Sequence, residues 1–308
     1  MSNILRVVAA FALVVPAAGC SVKKFAINKL GDSFANSSAT FAADDDPELV
    51  GQALPFSLKL VEGLLAETPK HRGLLFAAAS GFTQYAYVYV QQDADIAEND
   101  SVERATALRL RARRLFLRGR NYGLRGLDAR YPAFSRQLAV DPKQAVRFAK
   151  KEDVPLMYWA AAAWGAAISV SKDEVDLIAD QRIVEALLDR SLELDPDFDS
   201  GAIHGLLLAY EPARQGASGD PVARARAHFD RWVELTRGQL ATPFVSLAET
   251  VSVQKQDRRE FEALLGRALD VDANARPEWR LQNLVVQRRA RWLLARADEL
   301  FANEFNRR

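Results

Sequence analysis

The chain is short of the residues that usually carry chemistry. Its 308 residues hold one cysteine, three histidines and two methionines. A single thiol cannot close an intramolecular disulfide, so the fold has to rest on its apolar core. The histidines, His71, His204 and His228, are too few and too scattered for a histidine-rich metal site. No HExxH pair occurs, and no carboxylate stands at a telling spacing from any of the three. An excess of one charge is missing too: 41 Lys and Arg against 40 Asp and Glu leave +1. Nucleic-acid binding draws on a basic excess and is excluded as the main role.

Catalytic motifs are equally scarce. Gly119, Gly123 and Gly126 are spaced like part of a phosphate loop, but no Lys-Ser or Lys-Thr follows and the surroundings are helical. The segment Gly216-Ala217-Ser218-Gly219-Asp220 has the wrong spacing for a nucleophile elbow and reads as a loop. Asp44-Asp45-Asp46 lacks the glycine and distal glutamate of a calcium loop and reads as a cap for a helix starting at Pro47. The Glu-Ser dipeptide used by helical lytic transglycosylases does not occur. The expectation is a protein that binds rather than reacts, with no cofactor and no metal.

What is present begins at the amino terminus. Arg6, an apolar stretch from Val7 to Val15 and small residues up to Gly19 form a secretory signal. The stretch is too short to span a bilayer, which needs about 20 residues. Cys20 directly follows Ala17-Ala18-Gly19, the bacterial lipobox arrangement with Ala17 where leucine is usual. An ordinary signal peptide with an incidental cysteine is the other reading. Lipidation of Cys20, with Ser21 rather than Asp next to it, predicts an anchor on the periplasmic face of an outer membrane. Residues 1–19 are then the signal, 20–45 anchor and linker, and 46–308 a helical domain.

Apolar content of 49% and charge of 26% are those of a folded chain. Its pattern is all-α. Six pairs set a capping residue before proline: Asp46-Pro47, Thr68-Pro69, Asp141-Pro142, Asp195-Pro196, Asp220-Pro221 and Thr242-Pro243. Such pairs start helices, because the cap accepts from a first-turn amide and proline has none to waste. Asp195-Pro196 follows an apolar run and can form a turn instead. Tyr85 to Val90 is rich in β-formers yet continues a helical run from Gly73. The stretches Leu187–Leu194, His228–Leu235 and Leu264–Val271 resemble one another at repeat-like offsets, and runs of alanine and glycine face Phe76, Trp159 and Trp164. That is the pattern of stacked tetratricopeptide-like hairpins, an α-solenoid.

The chain resembles the T component of TRAP transporters, the TatT family, over roughly Leu54 to Phe301. The likeness lies in Leu115–Tyr122, Met157-Tyr158-Trp159 with Trp164-Gly165, Leu192–Phe198, Gly201–His204, Ala227-His228-Phe229, Leu281-Gln282-Asn283 and Arg288–Leu294. The resemblance implies a periplasmic lipoprotein with a compact helical array. It further implies association with the solute-binding P component and with other copies of the chain, and a passage for a small apolar ligand.

Two residue groups carry both a structural and a functional reading. Between Arg104 and Arg136 stand ten arginines and one acid, Asp128. They form a solvated helix face or, through Arg109, Arg113, Arg118 and Arg120, a docking face for an acidic partner or for anionic headgroups near the anchor. Tyr85, Tyr87, Tyr89, Tyr158, Trp159 and Trp164 form ordinary helix-pair packing or the wall of an apolar ligand channel. The competing function is an outer-membrane scaffold lipoprotein without a ligand; an internal channel separates the two.

Overall fold

The computed structural model describes Lys29 and residues 38–171, 173–214 and 216–301; Cys20 and the signal segment lie outside them. All regular structure among these residues is helical. Proline and aspartate set several starts. Asp46 accepts from the amide of Leu49 ahead of α2 (Pro47–Glu67), which follows the short α1 (Ser38–Ala42). Asp141 and Asp220 cap α7 (Pro142–Val146) and α12 (Pro221–Thr236) in the same way. Two pairs depart from expectation. Thr68 closes α2 by donating its hydroxyl to Leu64 O, and Nδ1 of His71 caps α3 (Arg72–Ala86) instead. Thr242 is the first residue of α13 (Thr242–Leu247), with Ala241 at the cap. Asp195 ends a helix, as a turn.

The first half is built on three close helices. α3 packs against α2, α5 (Val102–Asp128) and α8 (Val154–Ser169), and α5 also packs on α8. α4 (Gln92–Ala97) continues α3 and lies on α5, while α6 (Phe134–Val140) follows α5 and pairs with α7. The spaced glycines of α5 explain the approach. A Cβ at Gly119 would stand 2.6 Å from Thr83 Oγ1, and one at Gly123 would stand 3.2 Å from backbone atoms of Ala160. They are packing glycines. α8 is buried on nearly every side, which accounts for its uniformly apolar sequence. Among the described residues α2 alone is long and apolar enough to cross a membrane, yet its Val50, Leu58, Val61 and Leu65 are buried in the fold.

The chain then runs through the short α9 (Val175–Ala179) to hairpins. α10 (Gln181–Leu194) packs on α8, α12 on α11 (Ala202–Tyr210), and α15 (Arg258–Leu269) on α13. The three mutually similar stretches fall on α10, α12 and α15, in each case the later helix of its pair. The brief α14 (Val253–Lys255) joins α13 to α15. α16 (Arg280–Ala295) packs on α15 and α13 and returns to touch α1 and α2, followed by α17 (Ala297–Leu300).

That return closes the array, and its chemistry is polar. Arg280 Nη1 donates to Ala43 O at 3.0 Å, and Arg288 meets Glu48 at 2.7 Å. Asn99 accepts from Arg296 and donates to Glu299, both at 3.2 Å. Among the described residues no hydrophobic cluster joins α2–α5 to α13–α17. The ends of the array meet across ion pairs rather than a shared core.

Candidate functional site

Two turns of helix widen where the closed array brings its ends together. Tyr87–Gln91, between α3 and α4, and Ala248–Ser252, between α13 and α14, are π-helical. Both contain β-branched residues, and such single π-helical turns are frequent at functional sites. Arg289 on α16 ties the second of these turns to α4, which follows the first. Its Nε and Nη2 donate to Glu249 Oε1 at 3.1 and 2.7 Å, and its Nη1 stands 3.0 Å from Asp95 Oδ2. The guanidinium also lies over the ring of Trp292, 4.3 Å from its centroid.

Tyr87 shows what kind of place this is. Its side chain is 47% exposed. Even so, desolvation by surrounding protein, followed by the nearby Glu249 carboxylate, pushes its hydroxyl up to about 12. Desolvation likewise raises the carboxyls of Glu249 and Asp95, against the pull of Arg289. Each of these groups is partly exposed and close to charged neighbours. A second such group lies elsewhere in the fold. Asp199 is exposed, yet burial alone raises its carboxyl, and it raises the already desolvated hydroxyl of Tyr158 further. Asp199 and Ser200 hold left-handed backbone, φ 45° and 52°, ahead of Gly201. Such strain persists where surroundings fix it and gathers at functional sites.

The other aromatics are held by contacts within the fold. Tyr85 accepts from Arg111 Nη2 at 3.2 Å and packs between two core clusters. Tyr89 donates to Pro47 O at 2.8 Å, and its ring covers Gly51, where a Cβ would come within 2.6 Å. Tyr158 is wedged between Trp159 and Phe198, and Trp159 packs on the central core. Trp164 donates to Asp180 at 3.1 Å, with Arg120 stacked 4.6 Å above its ring. The helices bearing the two aromatic groups do touch, α3 on α8. Only Tyr87 of the six is open.

The arginine face is tied inward at several points. Arg109 pairs with Glu98 at 2.8 Å and Arg113 with Glu174 at 2.5 Å. Arg118 Nε donates to Glu62 Oε1 at 2.6 Å. Arg104 and Arg114 are exposed and form no ion pair among the described residues.

Sequence reading missed one further pair. His204 on α11 and His228 on α12 face each other with Nδ1 atoms 2.8 Å apart. One ring must donate and the other accept, so at least one proton is held between them. No group of three or more metal-ligating side chains occurs among the described residues.

Fold and site together define an all-α protein of packed helix pairs. A family model, TRAP transporter T-component, matches residues 43–301. The chain belongs to that family, which is one of transporter components rather than enzymes. It is also 28% identical over 310 residues to an uncharacterized protein of Treponema pallidum (strain Nichols), covering 95% of this chain and 96% of the relative.

Proposed function

We propose that the chain is a lipid-anchored periplasmic T component that binds the solute-binding P component of a TRAP system and passes a small apolar ligand through its interior. Membership of the family over residues 43–301 carries this reading. The half-exposed Tyr87, beside Glu249 and Arg289, is a place at which such a ligand can be met. Cys20 is the acyl acceptor. Two or more chains hold a protein stably at a membrane, since each buried methylene adds about 0.8 kcal/mol.

Two surfaces suit the associations. Arg104 and Arg114 are guanidiniums open to a partner's carboxylates, and on-rates to such a face fall as salt rises. α2 turns Leu49, Phe56 and Leu60 outward, 55%, 75% and 37% exposed. That stripe fits self-association of the chain. The test is interferometry of the host's P component over the detergent-solubilised full chain. Saturable binding that weakens with salt and with Arg104→Glu/Arg114→Glu supports the reading; no binding at micromolar P component overturns it and favours the scaffold role.

A further inference from the structure

The turn from α6 into α7 carries an apolar patch open to solvent. Val140, the last residue of α6, is 80% exposed, and Phe148, just past α7, is 65% exposed. Between the two helices lies an open cleft of about 390 Å³, lined by Arg136, Val140, Asp141, Gln144 and neighbouring alanines, with an almost wholly apolar wall. Three guanidiniums gather there. Arg136 lines the cleft itself. Arg147 Nη1 donates to Gln144 Oε1 at 3.1 Å, which sets its head at the cleft's edge. Arg182 reaches over from α10 and donates to Ala139 O at 2.7 Å and Val140 O at 3.4 Å.

With Lys143 on α7 and Lys150 beyond it, five exposed cations surround the patch, and none pairs with a carboxylate among the described residues. The nearby acids are engaged elsewhere. Asp141 accepts from the Gln144 amide, and Asp128 accepts from the amide and hydroxyl of Ser135. Glu152 stands by Arg130, and Glu193 pairs with Arg190. Counting Asp141, and Asp173 and Asp176 near the start of α9, as free charges sets five cations against three acids and still leaves two in excess.

An apolar surface ringed by unpaired cations suits a partner that is negative at its face and apolar beneath. An anionic phospholipid leaflet is layered in that way. Its phosphates pair with the cations, whose stems lie along apolar surface, while exposed apolar side chains reach the acyl boundary. A protein partner fits less well, because docking cores are rich in Tyr, Trp and Met and poor in Lys. Residues 133–151 contain three lysines and none of those three residue types.

We propose that the α6–α7 turn, with Val140, Phe148 and the five cations around them, is a face that lies on the surface of an anionic phospholipid membrane. It goes beyond the acyl anchor, since a tether limits distance alone and this face sets which side of the helical array meets the bilayer. Exposed charges are screened beyond about 10 Å at 0.1 M salt, so the contact weakens as salt rises.

The experiment uses the full chain with Cys20→Ser, which removes both the acyl acceptor and the one native thiol. A nitroxide is then attached through Val140→Cys or, as control, through Val102→Cys, another exposed valine at the start of α5. Power-saturation EPR reads the label's access to an aqueous nickel chelate on vesicles of phosphatidylcholine with and without phosphatidylglycerol. Partitioning to the anionic vesicles is expected to exceed that to neutral ones by at least about tenfold, as basic residues near an anionic surface each add to binding. The label at position 140 is expected to be shielded there, and the label at position 102 to stay accessible. Arg136→Glu/Arg147→Glu is expected to abolish the shielding with the unfolding midpoint unchanged, and Arg136→Lys/Arg147→Lys to retain it. No shielding at position 140, equal shielding at both positions or on neutral vesicles, or shielding that survives the charge reversal overturns the face. Shielding by the host's P component and not by vesicles also overturns it and assigns the patch to an acidic protein. Acylation and the passage stand in every case, since neither enters the experiment.

Discussion

Arg72 Nη2 stands 2.6 Å from Asp153 Oδ1, joining the start of α3 to the approach to α8 across 81 residues of chain. The carboxylate is fully buried. It also accepts from Tyr131 OH at 2.7 Å, the Lys150 amide at 3.0 Å and Arg130 Nη1 at 3.2 Å. Burial alone would raise this carboxyl, but the Lys150 amide, the Tyr131 hydroxyl and the two guanidiniums outweigh it and hold it below its ordinary value. Asp153→Ala strands four donors and is expected to cost about 3–5 kcal/mol, as removal of one partner from a buried ion pair does. Asp153→Asn keeps some acceptors and is expected to cost less. Urea unfolding followed by circular dichroism reads both.

The same carboxylate sets an acid limit. A folded-state value below the unfolded one, about 3.9 for Asp, means the unfolded chain binds more protons as pH falls. The contribution is complete above that value and is lost as pH drops toward the folded one. Glu62, held low by Lys59, Tyr122 and Arg118 against its own desolvation, acts in the same direction. The unfolding midpoint of wild type is expected to fall below about pH 4.5, and Asp153→Asn to fall less over the same interval.

The histidine pair titrates higher. Desolvation depresses both His204 and His228, and for His204 the neighbouring His228 adds to the effect. A histidine that is harder to protonate when folded stabilises the fold above its unfolded value, about 6.5, and loses that contribution as pH falls. The urea midpoint is expected to drop between about pH 7 and 5. His228→Gln, which leaves one titrating ring, is expected to flatten that slope. A slope unchanged in the variant would place the proton uptake elsewhere.

Two glycines separate packing from propensity. Gly63 on the outer face of α2 has nothing within 4 Å of a Cβ, so Gly63→Ala is expected to stabilise by about 0.5–1 kcal/mol. Gly123→Ala gains the same propensity, but its Cβ would press on the Ala160 backbone at 3.2 Å. Overpacking costs about 1–3 kcal/mol, and a net loss is expected, read from paired thermal melts.

Much of the fold was legible in the residues. Asp46, Asp141 and Asp220 before proline start helices because local chemistry decides a cap. Thr68-Pro69 and Thr242-Pro243 misled by a few residues, since threonine can also close a helix and since His71 is an uncommon cap. The run Tyr85 to Val90 was rightly placed on a helix, but a π-helical turn of five residues leaves too short a trace in periodicity to be seen. The triad of Asp95, Glu249 and Arg289 was illegible for a different reason: its members come from three distant helices and meet only when α16 returns to α2. Tyr87 was one of six aromatics named together, and nothing along the chain marks it as the half-exposed one. Its exposure is set by what packs around it in the fold, not by its neighbours along the chain.

The most direct test of the account is native mass spectrometry of the detergent-solubilised full chain, alone and with the host's TRAP-type P component. A defined complex that takes up the P component and retains a small apolar adduct is predicted, with its mass giving the stoichiometry. A chain that stays bare and ignores the P component would contradict the transport reading and reduce Tyr87 to a surface residue of a scaffold.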